Sequence, residues 1–215
     1  MWVVLLLDDE ALVLDHHPYR DRHLILAVLT RHTGVQRGVL RRARGGKAPP
    51  AAAAQILSLV QVSLFQRPNA ELATFRHLDL VTSSYPLATS LERSAAGAVV
   101  AELLFTFCPP GEPAERSFRL GVAALESLLA GTDPNMVVAY TEYWVLALGG
   151  VLPSPDDVRP SLTGEEAEFL AGCRNRPVAD VAAPVPPRVG RWLDHRVREE
   201  AERPLRALAF LRRHA

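Results

Sequence analysis

Gln55-Ile56-Leu57-Ser58-Leu59-Val60-Gln61-Val62-Ser63-Leu64-Phe65-Gln66 alternates apolar and polar side chains over its second half. That period of two belongs to a strand with one buried face. Arg67-Pro68-Asn69-Ala70 then reads as a hairpin connection, and Leu72 to Thr82 returns as the next strand. Working back towards the start, Ala11-Leu12-Val13-Leu14 is apolar on both faces and stops near Pro18. His23 to Thr30 is a second apolar run, Thr33-Gly34 marks a turn, and Val35 to Arg42 is a third strand. Five short strands within residues 1–84 fit a small closed barrel, because closure removes the exposed edges of a short sheet.

After Tyr85 the period changes to that of helices. Leu87, Leu91, Ala95, Ala98 and Val99 lie on one stripe that continues to Phe107, and Pro109-Pro110-Gly111 ends it. Phe118, Val122, Leu125 and Leu129 define a second helix that stops at Gly131. Asp133-Pro134 reads as an N-cap followed by proline at the first helical position. Thr163-Gly164-Glu165-Glu166 fits a capping box, Ala182 to Pro187 is a proline-rich connector, and the basic segment Arg188 to Ala215 is a helix interrupted at Pro204. The expectation is a mixed β and α protein: a five-stranded barrel of the OB-fold type over residues 1–84 and an all-α domain over 85–215. Barrels of this type commonly bind single-stranded nucleic acid.

One stretch gives that expectation chemical content. Arg37-Gly38-Val39-Leu40-Arg41-Arg42-Ala43-Arg44-Gly45-Gly46-Lys47 places five cations in a chain of zero formal net charge. A basic strand end running into a Gly-Gly loop suits phosphates, whose neutralisation releases counterions. The competing reading is a solvated charge run guarding a strand edge. Residues 85–155 are acidic by contrast, with three Arg against seven Asp and Glu. Tyr19, Phe65 and Phe75 are the few barrel aromatics after Trp2, so contacts to the phosphate backbone are expected to dominate over base readout.

Enzyme signatures are missing: there is no GxSxG, P-loop or HExxH. Asp15, His16, His17, Asp21 and His23 form the one metal-like grouping, and a small metal-dependent enzyme built on His16, His17 and His23 is the rival function; a protein-interaction scaffold without DNA binding is a third. Cys108 and Cys173, the only cysteines, read as buried structural thiols. Trp2 to Leu7 is too short to span a membrane and lacks the basic start of a signal peptide, so a cytoplasmic protein without membrane contact is expected.

The order of these pieces resembles the bacterial DNA repair protein RecO family. The residues that carry it are Glu10-Ala11-Leu12-Val13-Leu14, Pro18-Tyr19, Asp21-Arg22, Leu29-Thr30-Arg31-His32-Thr33-Gly34, the basic run Arg37 to Lys47, Glu71-Leu72-Ala73-Thr74, Pro134 to Leu152, and Arg203-Pro204-Leu205-Arg206-Ala207-Leu208-Ala209-Phe210-Leu211. Many members insert a four-cysteine zinc module after the long helix; here Pro153 to Leu162 bridges that gap without a cysteine, so no zinc and no other cofactor is expected. The resemblance implies a non-enzymatic DNA-binding mediator of recombinational repair. It implies binding of single- and double-stranded DNA, strand annealing, and cooperation with RecR and single-strand binding protein in loading RecA. Arg37, Arg41, Arg42, Arg44 and Lys47 are the expected DNA-binding residues, with Arg20 and Arg22 as weaker candidates. The acidic C-terminal tail of single-strand binding protein is expected in a basic groove, formed where Trp192, Leu205, Leu208, Phe210 and their neighbouring arginines pack against the helices of 115–149.

Overall fold

The computed structural model describes residues 5–20, 23–41, 51–67, 70–152, 162–181 and 184–214. Five strands form a closed barrel: β1 (Leu5–Tyr19), β2 (His23–Thr30), β3 (Gly34–Arg41), β4 (Leu59–Gln66) and β5 (Ala73–Thr82). Their order is β1-β2-β3-β5-β4, with β4 pairing back onto β1. All pairs are antiparallel except β3 with β5, which is the strand order of the OB fold. The parallel pair needs close backbone approach: a Cβ at Gly38 would stand 2.9 Å from the Ala73 carbonyl oxygen and 2.9 Å from the Phe75 ring.

The fourth strand begins at Leu59, not at Gln55 as the alternation suggested. Leu57 takes a left-handed conformation (φ 66°) in a turn, and its N–H donates to the Val13 carbonyl at 2.7 Å. Val13 in turn donates to the Ser58 carbonyl at 3.0 Å, next to the irregularity between Val13 and Asp15 of β1. The turn drives the Leu57 side chain fully out of solvent; that burial is set against the strain of a left-handed branched residue.

Two cores result. Ala11, Val13, Leu26, Val28, Leu40, Val60, Val62 and Leu64 fill the barrel. Leu12, Leu14, Leu29 and Val35 leave its outer surface and join a second core built by the helices. β1 is therefore apolar on both faces because both faces are buried.

Six α-helices follow among the described residues: α1 (Leu91–Phe107), α2 (Glu115–Ala130), α3 (Pro134–Leu148), α4 (Gly164–Asn175), α5 (Pro187–Glu200) and α6 (Arg206–His214). The expected caps form. The Asp133 carboxylate accepts from the Asn135 N–H at 2.7 Å, and Thr163 with Glu166 makes a reciprocal capping box. Gly131 ends α2 in the left-handed region (φ 94°). The α1 stripe starts later than the spacing implied. Leu87 sits in a short 3-10 turn (Tyr85–Thr89), Ser90 caps α1, and Leu91 is 61% exposed.

α5 packs on α3, whereas α6 packs chiefly on α1, not on the helices of 115–149. The reason is one carboxylate: Glu102 of α1 accepts from the N–H groups of Arg206, Ala207 and Leu208 at 2.6, 3.1 and 3.1 Å. It satisfies the free donors that begin α6 and complements the positive end of its dipole. Leu205, Leu208 and Leu211 are buried beneath.

Where α3, α5 and α6 meet, Glu142 is fully buried and neither of its carboxylate oxygens has a hydrogen-bond partner among the described residues. Arg212 lies 3.8 Å away but makes its hydrogen bonds to Asp194, at 2.8–3.0 Å, and to Asn135 at 2.8 Å. Burial, then the neighbouring Asp194 carboxylate, hold the Glu142 carboxyl well above the ordinary range, against the pull of Arg212 and Arg198.

Candidate nucleic-acid interface

The helices cover only part of the barrel's outer surface. Beyond Leu14 and Val35 the register lays out rows of outward side chains. His17 pairs with Ile25, Ile25 with Val39, Val39 with Thr74, and Thr74 with Phe65. The strands alternate about this row: Leu26, Leu40, Phe75 and Leu64 point inward and are buried. Ile25, Val39, Thr74 and Phe65 are half-buried and form an apolar floor. On one side of it stands Arg37, opposite Ala27. On the other, Tyr19 pairs with His23 and His23 with Arg41. Beyond the Leu40–Phe75 pair, where the β3–β5 register ends, Arg41 is the next residue on β3 and Arg76 the next on β5.

Arg37, Arg41 and Arg76 are exposed, and none has a carboxylate partner among the described residues. The Arg76 guanidinium instead lies over the Phe65 ring at 5.1 Å from its centre, and Arg20 lies over Tyr19 at 5.2 Å. Such pairs hold a flat cation on an aromatic face at little cost in side-chain freedom. The surface thus combines cations for phosphates with flat groups for bases, the combination that single strands require.

Of the residues expected from sequence, Arg37 and Arg41 share this face, while Arg22, Arg42, Arg44 and Lys47 lie outside the described residues. Sequence reasoning overlooked Arg76; it counted Phe65 with Tyr19 and Phe75 among the few barrel aromatics, and Phe65 stays half-buried on this face. The adjacency of Arg76 and Phe65 comes from the β4–β5 register, and the alternation around Leu64 and Phe75 was the available signal. Phe75, considered as a stacking residue, is instead a barrel core residue at 3% exposure.

The histidine grouping does not converge. His17 Nε2 pairs with Asp15 at 2.9 Å, and the His16 N–H donates to the same carboxylate at 2.8 Å. His23 stands opposite Tyr19, one row further along the strand pair. Among the described residues no three His, Cys, Asp or Glu side chains gather as metal ligands would; Asp21 lies outside them.

Of the C-terminal groove expected for an acidic tail, α5 with Trp192 packs on α3 as expected, whereas α6 packs on α1. Leu205 and Leu208 are buried against α1, Arg212 is held by Asp194, and Arg196 is tied to Glu199 and Glu200 at 3.0 and 3.1 Å. A different cleft, of about 600 Å³, opens between the barrel and helices α2 and α3. Leu120, Val122, Tyr140, Trp144 and Leu148 give it apolar walls, and the Trp144 indole is fixed by donating to the Cys173 carbonyl at 2.9 Å. Arg116 and Arg119 stand exposed at its rim without a carboxylate partner among the described residues.

A closed OB-type barrel whose outer sheet packs under a helical domain is the architecture that defines the class. Comparison with known families is specific: residues 5–84 match the family described as "Recombination protein O N terminal", and residues 88–187 match "Recombination protein O C terminal". The chain is 30% identical over 167 residues to the DNA repair protein RecO of Koribacter versatilis, covering 78% of this chain and 67% of that one. It is 29% identical to that of Cupriavidus metallidurans, covering 72% of this chain and 53% of the relative. With the Burkholderia pseudomallei protein identity is 31%, covering 61% of this chain and 46% of the relative. The chain belongs to the RecO family of DNA repair proteins. No helix among the described residues is long and apolar enough to cross a membrane.

Proposed function

We propose that this chain is a non-enzymatic, cytoplasmic mediator of recombinational repair. It binds single- and double-stranded DNA, anneals strands, and with RecR and single-strand binding protein helps load RecA. The observation that carries the reading is the outer face of the barrel, where Arg37, Arg41 and Arg76, without carboxylate partners among the described residues, flank the Ile25–Val39–Thr74–Phe65 floor. The cations neutralise phosphates whatever the sequence, and the Arg76–Phe65 and Arg20–Tyr19 pairs offer flat faces to bases. Arg42, Arg44 and Lys47 continue the same run of charge. Titration with labelled single-stranded DNA at several salt concentrations tests it. Affinity falls steeply with salt, with a log–log slope of roughly −0.7 for each phosphate neutralised. Salt-independent binding, or none at low salt, refutes the reading.

The tail of single-strand binding protein is assigned to the α2–α3 cleft. Acidic residues meet Arg116 and Arg119 at the rim, and the terminal aromatic enters between Tyr140 and Trp144. An acidic, phenylalanine-ending peptide is expected to bind weakly and salt-sensitively to the intact protein, and Arg116→Glu with Arg119→Glu abolishes that binding. If the double variant binds normally while changes at Arg203 and Arg206 abolish it, the site lies at the C-terminal helix instead.

A further inference from the structure

The apolar row on the barrel does not end in open solvent. Its last residue on β1, His17, also lines a cavity of about 440 Å³ between the barrel and helices α1 and α6, with Leu14, Phe105, Arg203 and Arg206. Both carboxylates there are engaged. Glu102 receives three backbone N–H groups from the start of α6, and Asp15 pairs with His17 and with the His16 N–H. Arg203 and Arg206 have no carboxylate partner for their guanidinium groups among the described residues.

Arg203 is also shaped for a purpose beyond charge. Its guanidinium lies 4.2 Å from the centre of the Phe105 ring, and its Nε donates to Thr106 Oγ1 at 3.0 Å. One face of the cation is thereby held by the ring, and its orientation is fixed by the hydroxyl. A guanidinium plane so fixed is a platform on which a nucleobase stacks. Its charge, with that of Arg206, meets the adjoining phosphate.

We propose that a single strand lying along the barrel row passes His17 and enters this cavity, where one nucleotide stacks on Arg203 and places its phosphate by Arg206. The proposal rests on the DNA-binding reading above and extends its path from the barrel onto the helical domain. Because α6 holds the far wall, docking of that helix on Glu102 becomes a requirement for the full footprint.

The test uses the full chain and labelled oligothymidylates of stepwise increasing length. On strands long enough to leave the barrel, Arg203→Ala with Arg206→Ala weakens binding about tenfold, the scale of one lost stack. Its salt slope becomes shallower by roughly 0.7 for each lost phosphate contact. On strands confined to the barrel the variant matches the unmodified chain. Arg203→Lys keeps the charge but not the flat face, so it loses the stacking increment and keeps the slope. A measurement without mutation accompanies these: strands carrying photoreactive thymines crosslink to the peptides holding Phe105 or Arg203. Equal binding of both chains to every length, or crosslinks confined to the barrel, overturns this path and leaves the barrel reading standing. Failure of the unmodified chain to bind any strand overturns both.

Discussion

A chain with Arg37, Arg41 and Arg76 all changed to glutamate is expected to lose single-strand affinity by on the order of a hundredfold or more at low salt. Three charge-assisted contacts of about 1 kcal/mol each account for that loss, before counting the repulsion of the new carboxylates. The salt slope falls with it, by about 2 in magnitude for three phosphates on a single strand. All three side chains point away from the barrel core and lack carboxylate partners among the described residues, so the circular dichroism spectrum and melting temperature stay close to those of the parent. Extending the change to Arg42 and Arg44 deepens the loss. Phe65→Ala separates the two parts of the surface: affinity drops while the slope is kept, because a stack is lost but no charge. A folded triple variant that binds as before removes the barrel face from the account.

The second large effect is on stability and its dependence on pH. Glu142 is enclosed by α3, α5 and α6, facing Asp194, Arg198 and Arg212. Its carboxyl is raised well above the ordinary value of 4.5, so the folded chain keeps a proton that the unfolded chain releases. The stabilisation tied to that proton is complete below the unfolded value and is lost as pH rises towards the folded one. Across that window this one group lowers stability by about 1 kcal/mol per pH unit. Glu142→Gln supplies an uncharged side chain of the same shape and has no such slope. The variant is expected to melt higher than the parent at neutral and alkaline pH, with the two curves converging towards acid pH. Thermal melts of both chains from acid to mildly alkaline buffer check this. Parallel curves show that Glu142 is ionised in the fold and that Arg212 satisfies it.

The strands and caps were legible because each rests on local chemistry. The alternation of Val60, Val62 and Leu64, the Asp133-Pro134 pair and the Thr163–Glu166 box act within a few residues of one another. The two-faced apolar run at Ala11–Leu14 correctly marked a strand, but only the helices packed over it explain why Leu12 and Leu14 face away from the barrel interior. What the sequence hid was mostly cross-strand. Arg76 is a lone arginine in the chain order; it joins Arg41 and Phe65 because β5 lies between β3 and β4. The left-handed turn at Leu57 was likewise hidden, since a leucine in that conformation follows from tertiary packing and not from propensity. The partner of α6 was misjudged for a related reason. A solvated-looking glutamate in the middle of α1 gives no sign that it caps a helix about a hundred residues later.

The two cysteines have a practical consequence. Cys108 and Cys173 are both free and buried; burial raises the Cys108 thiol and pushes Cys173 up to about 12. Thiols so shielded and so weakly ionised react slowly with maleimides. A single cysteine introduced on an exposed helical position such as Glu168 therefore takes a fluorophore selectively, with the native pair left in place. The chain can thus be labelled for single-molecule measurements without first engineering out thiols that help fill its core.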